Sequence, residues 1–134
     1  MSPDRLFLDA NILFSAAYGS PGLLRLWSLA EQGRVHLLAD SHVEQEARRN
    51  LPTPDQQTRL TAYLRSVKLV PAPDPQLPCP VELPPGDRLV LLAAAAAQAT
   101  HLLTGNTKHF GPYYGRRILG VRILRPADYL RAHS

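Results

Sequence analysis

Residues 5–19 read RLFLDANILFSAAYG, with three apolar residues in a row, Leu6, Phe7 and Leu8, running straight into an acid, Asp9. An unbroken apolar run this short predicts a strand buried on both faces, the kind found inside parallel sheets. The helical spacing that follows predicts a short helix over 11–17, stopped near Gly19. Strand, acid and helix in immediate succession make the opening half of a βα unit.

The same alternation continues outward. Ser20 and Pro21 are a cap and a first-turn proline for a helix with Leu23, Leu24, Trp27 and Ala30 on its apolar face, closed by Gly33. Residues 35–39 predict a second buried strand. Asp40 and Ser41 offer caps for a helix carrying Val43, Ala47 and Leu51. Thr53 and Pro54 open another, with Leu60, Tyr63, Leu64 and Val67 facing inward, and 67–70 predicts a third strand. Residues 71–86 hold seven prolines and little periodicity, so they predict an ordered loop rather than a domain boundary. Asp87 is expected to cap an alanine-rich helix with Val90, Ala93, Ala94 and Ala97 on one side, where alanine favours the helix and permits close packing on a sheet. Strands are expected over 101–104 and 121–124, and Pro126 opens a last short helix. The pattern predicts a single α/β domain of 134 residues with a mainly parallel sheet covered on both faces. Ligand sites in such sheets lie outside the carboxyl ends of the strands.

Composition narrows the class. Hydrophobic residues make up 45% of the chain, enough for a core, and the longest apolar run, 89–97, falls well short of a membrane helix. No charged start, apolar stretch and small-residue cleavage site open the sequence, so an intracellular, cytoplasmic location is expected. The lone Cys79, between Pro78 and Pro80, permits no internal disulfide and no thiolate cluster. A net charge of +4 and a sequence pI near 9.6 favour an anionic partner such as nucleic acid.

Against that basic background, four oxygen-bearing side chains arise near one predicted sheet edge from four separate segments. Asp9 ends the first strand, Glu46 lies on the helix after the second, Asp87 begins the alanine-rich helix, and Asn106 follows the strand that ends at Thr104. Clustered carboxylates repel and raise each other's pKa unless a cation sits among them. Hard oxygen donors suit Mg²⁺ or Mn²⁺, which can activate water against a phosphodiester. Each acid also has a structural use: Asp9 and Asp87 are good helix caps, and residues 41–44, with Ser41 and Glu44, have the spacing of a capping box. Helical arithmetic does not choose Glu46 over Glu44.

A resemblance does. Residues 6–15, LFLDANILFS, and 102–110, LLTGNTKHF, resemble the first and last motifs of the PIN-domain nucleases; residues 41–51, SHVEQEARRNL, and 87–91, DRLVL, resemble the second and third. Order and spacing match nearly end to end, and the VapC-like toxin branch is the most similar. The resemblance implies a three-layer α/β/α fold and a metal-dependent endoribonuclease whose catalytic and metal-binding residues are Asp9, Glu46, Asp87 and Asn106, with Mg²⁺ or Mn²⁺ as cofactor. It implies Asn11 and Thr104 as residues orienting those ligands, RNA as substrate, a cognate antitoxin, and a homodimer. Asn106 departs from the pattern, since the family has Asp there; an amide oxygen can ligate a cation but brings no charge. A folded domain that binds RNA or a partner without cutting is therefore the second reading.

Bases near these motifs, Arg48, Arg49, Lys108, His109, Arg116 and Arg117, are candidates for phosphate contacts, and Tyr113 and Tyr114 for base stacking. The helical stretches 20–30 and 54–66 leave room for protein contacts. A dehalogenase-like phosphatase would need a second Asp where Asn11 stands, and a receiver domain would need a paired acid beside the first strand; both are missing.

Overall fold

The computed structural model describes residues 2–133. At its centre is β1 (Asp4–Leu8), whose Leu6, Phe7 and Leu8 have no exposed surface. It is flanked in parallel by β2 (Val35–Ala39) and by β4 (His101–Leu103), with Leu6 opposite both Leu37 and His101. β3 (Val67–Leu69) extends the sheet beyond β2. β6 (Val121–Leu124) lies parallel to β4, and the two-residue β5 (Arg117–Ile118) closes the far edge antiparallel to it. The order is β3-β2-β1-β4-β6-β5. The fold is thus a mainly parallel α/β sheet, as the alternation of apolar strands and helices predicts.

Between the strands run α1 (Ala10–Tyr18), α2 (Leu24–Glu31), α3 (Ser41–Asn50), α4 (Pro54–Leu64), α5 (Pro85–Ala96), α6 (Thr107–Phe110) and α7 (Pro126–Ala132). α1 packs against α3 and α4, α2 against β2, and α5 against β4. The chain steps from β1 to β2 to β3 in one direction and then returns to place β4 on the other side of β1. Right-handed crossovers therefore carry α5 over the face opposite to α1, α3 and α4. Tyr129 of α7, fully buried, donates its hydroxyl to Asp4 Oδ2 at 2.8 Å and ties the last helix to the start of the first strand.

Several local expectations are corrected. Asp87 does not cap α5: the helix begins at Pro85, and Asp87 lies within its first turn. A proline at the first helical position loses no hydrogen bond, since its missing N–H would have had no partner there, so the Pro84-Pro85 pair moves the start upstream. The capping box at Ser41 is also absent, because Asp40 is the cap of α3 and its Oδ1 accepts from Val43 N–H at 3.0 Å. Glu44 instead faces Arg48, 3.8 Å away. The capping box belongs to α4, where Thr53 and Gln56 bond each other's backbone. A 3₁₀ turn over Pro21–Leu23 precedes α2, and the Ser20 side chain makes no cap bond. Leu26, Trp27 and Leu29 form the buried face of α2, with Leu23, Leu24 and Ala30 half-buried beside it. β5, only two residues long, is too short to leave a periodic signal.

The proline-rich segment is an ordered loop. Arg88 of α5 donates to the carbonyl oxygens of Pro75, at 2.8 Å, and of Leu77, and Cys79 Sγ bonds the carbonyl of Val81 at 3.4 Å. Among the described residues no helix is long and apolar enough to cross a membrane.

The β5–β6 turn places Leu119 at φ 54° and Gly120 at φ 80°, the positive pair that two-residue hairpin turns favour. Leucine is strained there by roughly 1 kcal/mol, and its side chain is 44% exposed. Leu119→Asn, which tolerates this conformation, is expected to raise the thermal midpoint by about 3 °C; scanning calorimetry of the two chains checks it.

Candidate functional site

The strand order reverses direction between β1 and β4, and an open parallel sheet has its crevice at the carboxyl ends of such a pair. Asp9 follows β1 directly, and Thr104, Gly105 and Asn106 follow β4. The two strand ends are joined by Asp9 N–H donating to the Leu103 carbonyl at 3.1 Å. The apolar strand drives its own last residues into the core and carries the next residue, a carboxylate, in with them: Asp9 is only 4% exposed.

A web of hydrogen bonds holds that carboxylate. Asp9 Oδ1 accepts from Ala10 N–H at 2.8 Å, and Oδ2 accepts from the fully buried Thr104 hydroxyl at 2.8 Å. Thr104 Oγ1 in turn accepts from Asn106 N–H at 3.1 Å and from Asn11 Nδ2 at 3.4 Å. Asn11 Oδ1 accepts from Gly105 N–H at 2.7 Å. A Cβ on Gly105 would stand 3.3 Å from that oxygen, so a side chain there would press on Asn11. Asn11 and Thr104 thus bridge the β1 and β4 ends and fix Asp9 between them.

Burial pushes the Asp9 carboxyl above its ordinary range; the bonds from Thr104 and Ala10 oppose this, while the charges of Asp87 and Glu46 push the same way. Those two acids line the same open cleft of about 540 Å³ as Asp9, together with Asn106, Asn11, Phe14, Asn50 and Gly105. Glu46 faces this cleft and Glu44 does not line it. All four proposed ligand positions therefore line one cleft, brought there by the ends of β1 and β4 and by the helices α3 and α5.

Asp87 and Asn106 are already partnered. His109 Nδ1 stands 2.7 Å from Asp87 Oδ2, and Asn106 Nδ2 donates to Asp87 Oδ1 at 3.2 Å. Asn106 Oδ1 caps α6 by accepting from His109 N–H at 3.3 Å. His109, a basic candidate in the sequence, is thus a partner of Asp87 inside the site. Neither this pairing nor the places of Phe14 and Asn50 in the cleft had a sequence signal, since each depends on how helices α1, α3 and α6 are aimed.

The other bases divide. Arg48 is used in helix packing, with its guanidinium on Gln57 Oε1 at 3.3 Å and Thr61 Oγ1 at 3.1 Å of α4. Arg49, Lys108, Arg116 and Arg117 are exposed. Arg116 lies over the Tyr113 ring and Arg125 over the Tyr114 ring, at 5.7 and 5.8 Å. The hydroxyls of these tyrosines donate to the carbonyls of Glu82 and Thr104, at 3.0 and 2.8 Å. Both rings are thereby packed into the loop, with an arginine against each.

Three carboxylates and an amide make a set of hard oxygen donors, suited to Mg²⁺ or Mn²⁺. The fit lies in donor type and in charge, since a cation would relieve the mutual cost that Asp9, Glu46 and Asp87 impose. Among the described residues no three His, Cys, Asp or Glu side chains are drawn together closely enough to form a metal-binding group. The acids line the cleft openly, and His109 holds Asp87 to one side.

A family model described as PIN domain matches residues 5–108, a span that includes Asp9, Glu46, Asp87 and Asn106. Among solved structures, a chain in the crystal structure of VapBC2 from Rickettsia felis bound to a DNA fragment from their promoter matches with a TM-score of 0.62. The two are 18% identical, and the match covers 90% of this chain and 98% of the other, a likeness of fold. No curated protein matches the chain.

Thr104→Val keeps the shape of the buried side chain but leaves Asp9 Oδ2 without its donor. A loss of roughly 1–3 kcal/mol is expected, read as a lower urea midpoint. Asn106→Asp sets a second carboxylate against Asp87 in place of an N–H donor. The thermal midpoint is expected to fall in EDTA and to recover with Mn²⁺ more than that of the unsubstituted chain does. Equal Mn²⁺ responses, or equal Mn²⁺ affinities by titration calorimetry, would remove Asn106 from the metal site.

Proposed function

The chain belongs to the PIN-domain family, and on that premise we propose that it is a metal-dependent endoribonuclease of the VapC toxin type. The observation that carries the proposal is the meeting of Asp9, Glu46, Asp87 and Asn106, from four separate segments, in one cleft at the point where the sheet reverses direction.

These four residues would hold Mg²⁺ or Mn²⁺. Such an ion, when bound, would supply an activated water and offset the charge that builds on the phosphodiester. The remaining work falls to the chain. Thr104 keeps a proton on its hydroxyl directed at Asp9 Oδ2, so that this oxygen stays fixed and the other is kept by the Ala10 N–H. Asn11 clamps the Gly105 backbone and with it the approach of Asn106. Arg49 and Lys108, exposed near the acids in sequence, are the candidates to hold flanking phosphates, which gives affinity without sequence preference.

Several companion readings follow from the family. VapC-type toxins act in the cytoplasm, are held by a cognate antitoxin and often pair as homodimers. The fold likeness to a chain of VapBC2, a complex described as bound to promoter DNA, supports a protein partner of the antitoxin kind.

A second reading has its own observation. Asn106 donates a hydrogen bond to Asp87 and spends its oxygen on the α6 cap, an arrangement that satisfies both residues without a cation. It favours a domain that binds RNA or a partner and does not cut.

The decisive experiment is cleavage of a labelled single-stranded RNA with Mn²⁺ or Mg²⁺ by the chain as it stands, by Asp9→Asn and by Asn106→Asp. Metal-dependent cleavage by the unsubstituted chain is expected, abolished in Asp9→Asn with an unchanged circular dichroism spectrum. Thr104→Val is expected to lose roughly 10- to 100-fold. Cleavage by Asn106→Asp alone would establish the silent domain, and cleavage surviving in Asp9→Asn would move the chemistry elsewhere.

A further inference from the structure

The solvent side of α1 carries two aromatic residues, Phe14, which packs in part against the core, and Tyr18, which is exposed. Its buried residues are Ala10, Ile12, Leu13, Ala16 and Ala17. The residues at helical spacing on the other side are Asn11, Phe14, Ser15 and Tyr18, which are half-buried or exposed. Asn11 and Phe14 line the acidic cleft. Tyr18, one turn beyond Phe14, is 57% exposed, and the two ring centroids lie 5.4 Å apart with planes tilted by 32°. The pair forms a ladder that starts inside the cleft and runs out of it along one helix. At about 1.5 Å of rise per residue, Phe14 stands roughly 7 Å and Tyr18 roughly 13 Å along the axis from Asp9.

A cation marks the outer end of that ladder. Arg59, an exposed residue of α4, donates its Nε–H to the Ala17 carbonyl at 2.8 Å, which anchors its guanidinium at the carboxyl end of α1. Tyr113 and Tyr114, the aromatics that the sequence suggested for stacking, are packed into their loop with arginines against them.

We infer that Phe14 and Tyr18 form a stacking subsite for unpaired bases next to the cleft, with Arg59 set to meet a phosphate of the same strand. The inference rests on the nuclease reading and deepens it, because it selects single-stranded over paired substrates. An aromatic face accepts any base, but only one that has left its own stack. The ladder also gives the bound strand a direction, from the acids at Asp9 toward the end of α1. Phe14 and Tyr18 are positioning residues for the strand and have no part in the chemistry at the phosphate.

The test uses Asp9→Asn with Mn²⁺, so that binding is measured without cleavage, and a fluorescein-labelled single-stranded RNA of ten nucleotides. Adding Tyr18→Ala is expected to weaken binding by at least about fivefold, the low end of one lost base–aromatic stack. Adding Tyr18→Phe should keep it. In an RNA carrying one 2-aminopurine, fluorescence quenching on binding should disappear with Tyr18→Ala and persist with Tyr18→Phe. Arg59→Gln is expected to reduce the slope of log affinity against log salt by about 0.7. A duplex of the same sequence should bind more weakly and with no dependence on Tyr18. Single-stranded binding that is equal for tyrosine and alanine would overturn the subsite, leave the nuclease reading standing, and give the aromatic face to a protein partner. Absence of RNA binding by Asp9→Asn and by the unsubstituted chain alike would overturn both.

Discussion

Asp9 is a carboxylate that the fold cannot release to water. It directly follows a strand whose last three residues have no exposed surface, and it is itself 4% exposed. A buried charge of this kind is tolerated only when other groups satisfy it. The Thr104 hydroxyl, the Ala10 N–H and the chain of contacts through Asn11 and Gly105 do so. The Thr104 hydroxyl and the Gly105 N–H come from the loop after β4, so the adjacency of β1 and β4 and the satisfaction of Asp9 are one condition. Remove either and the acidic cleft loses its floor.

Charge within the molecule is divided on the same plan. The sequence is basic overall, yet the cleft gathers Asp9, Glu46 and Asp87 at one sheet edge. The energetic tension appears in Asp9, whose carboxyl is pushed up by burial and by its two acidic neighbours. Asp87 is relieved by His109 and by the amide of Asn106. Asp87 thus has hydrogen-bond partners on both oxygens, while Asp9 keeps its raised carboxyl despite its two donors.

Much of this was legible in the residues alone. The triplet Leu6, Phe7 and Leu8 predicts a strand buried on both faces, and the alternation that follows predicts the parallel sheet, because both patterns arise from one-dimensional periodicity. Glu46 shows where that kind of reasoning stops. On an ideal helix it lies farther from the Val43–Ala47–Leu51 face than Glu44 does, yet Glu46 lines the cleft while Glu44 pairs with Arg48. The cleft is set by how α3 leans on α1, which no spacing within α3 encodes. Asp87 failed as a cap for a different reason, since Pro84 and Pro85 fix the helix start before it. The tie between His109 and Asp87 was invisible because it joins two helices that meet only when the sheet has formed.

Asp9 and Thr104 are 95 positions apart in the chain, and closing so long a loop is slow and comes late in folding. During synthesis the first three acids leave the ribosome well before the hydroxyl that steadies the first of them. A product that stops between residues 88 and 100 therefore carries Asp9, Glu46 and Asp87 but lacks the strand that gathers Asp9 to its partner. Such a product has the three acids without the pocket, which arises only once residues 104–106 have been added.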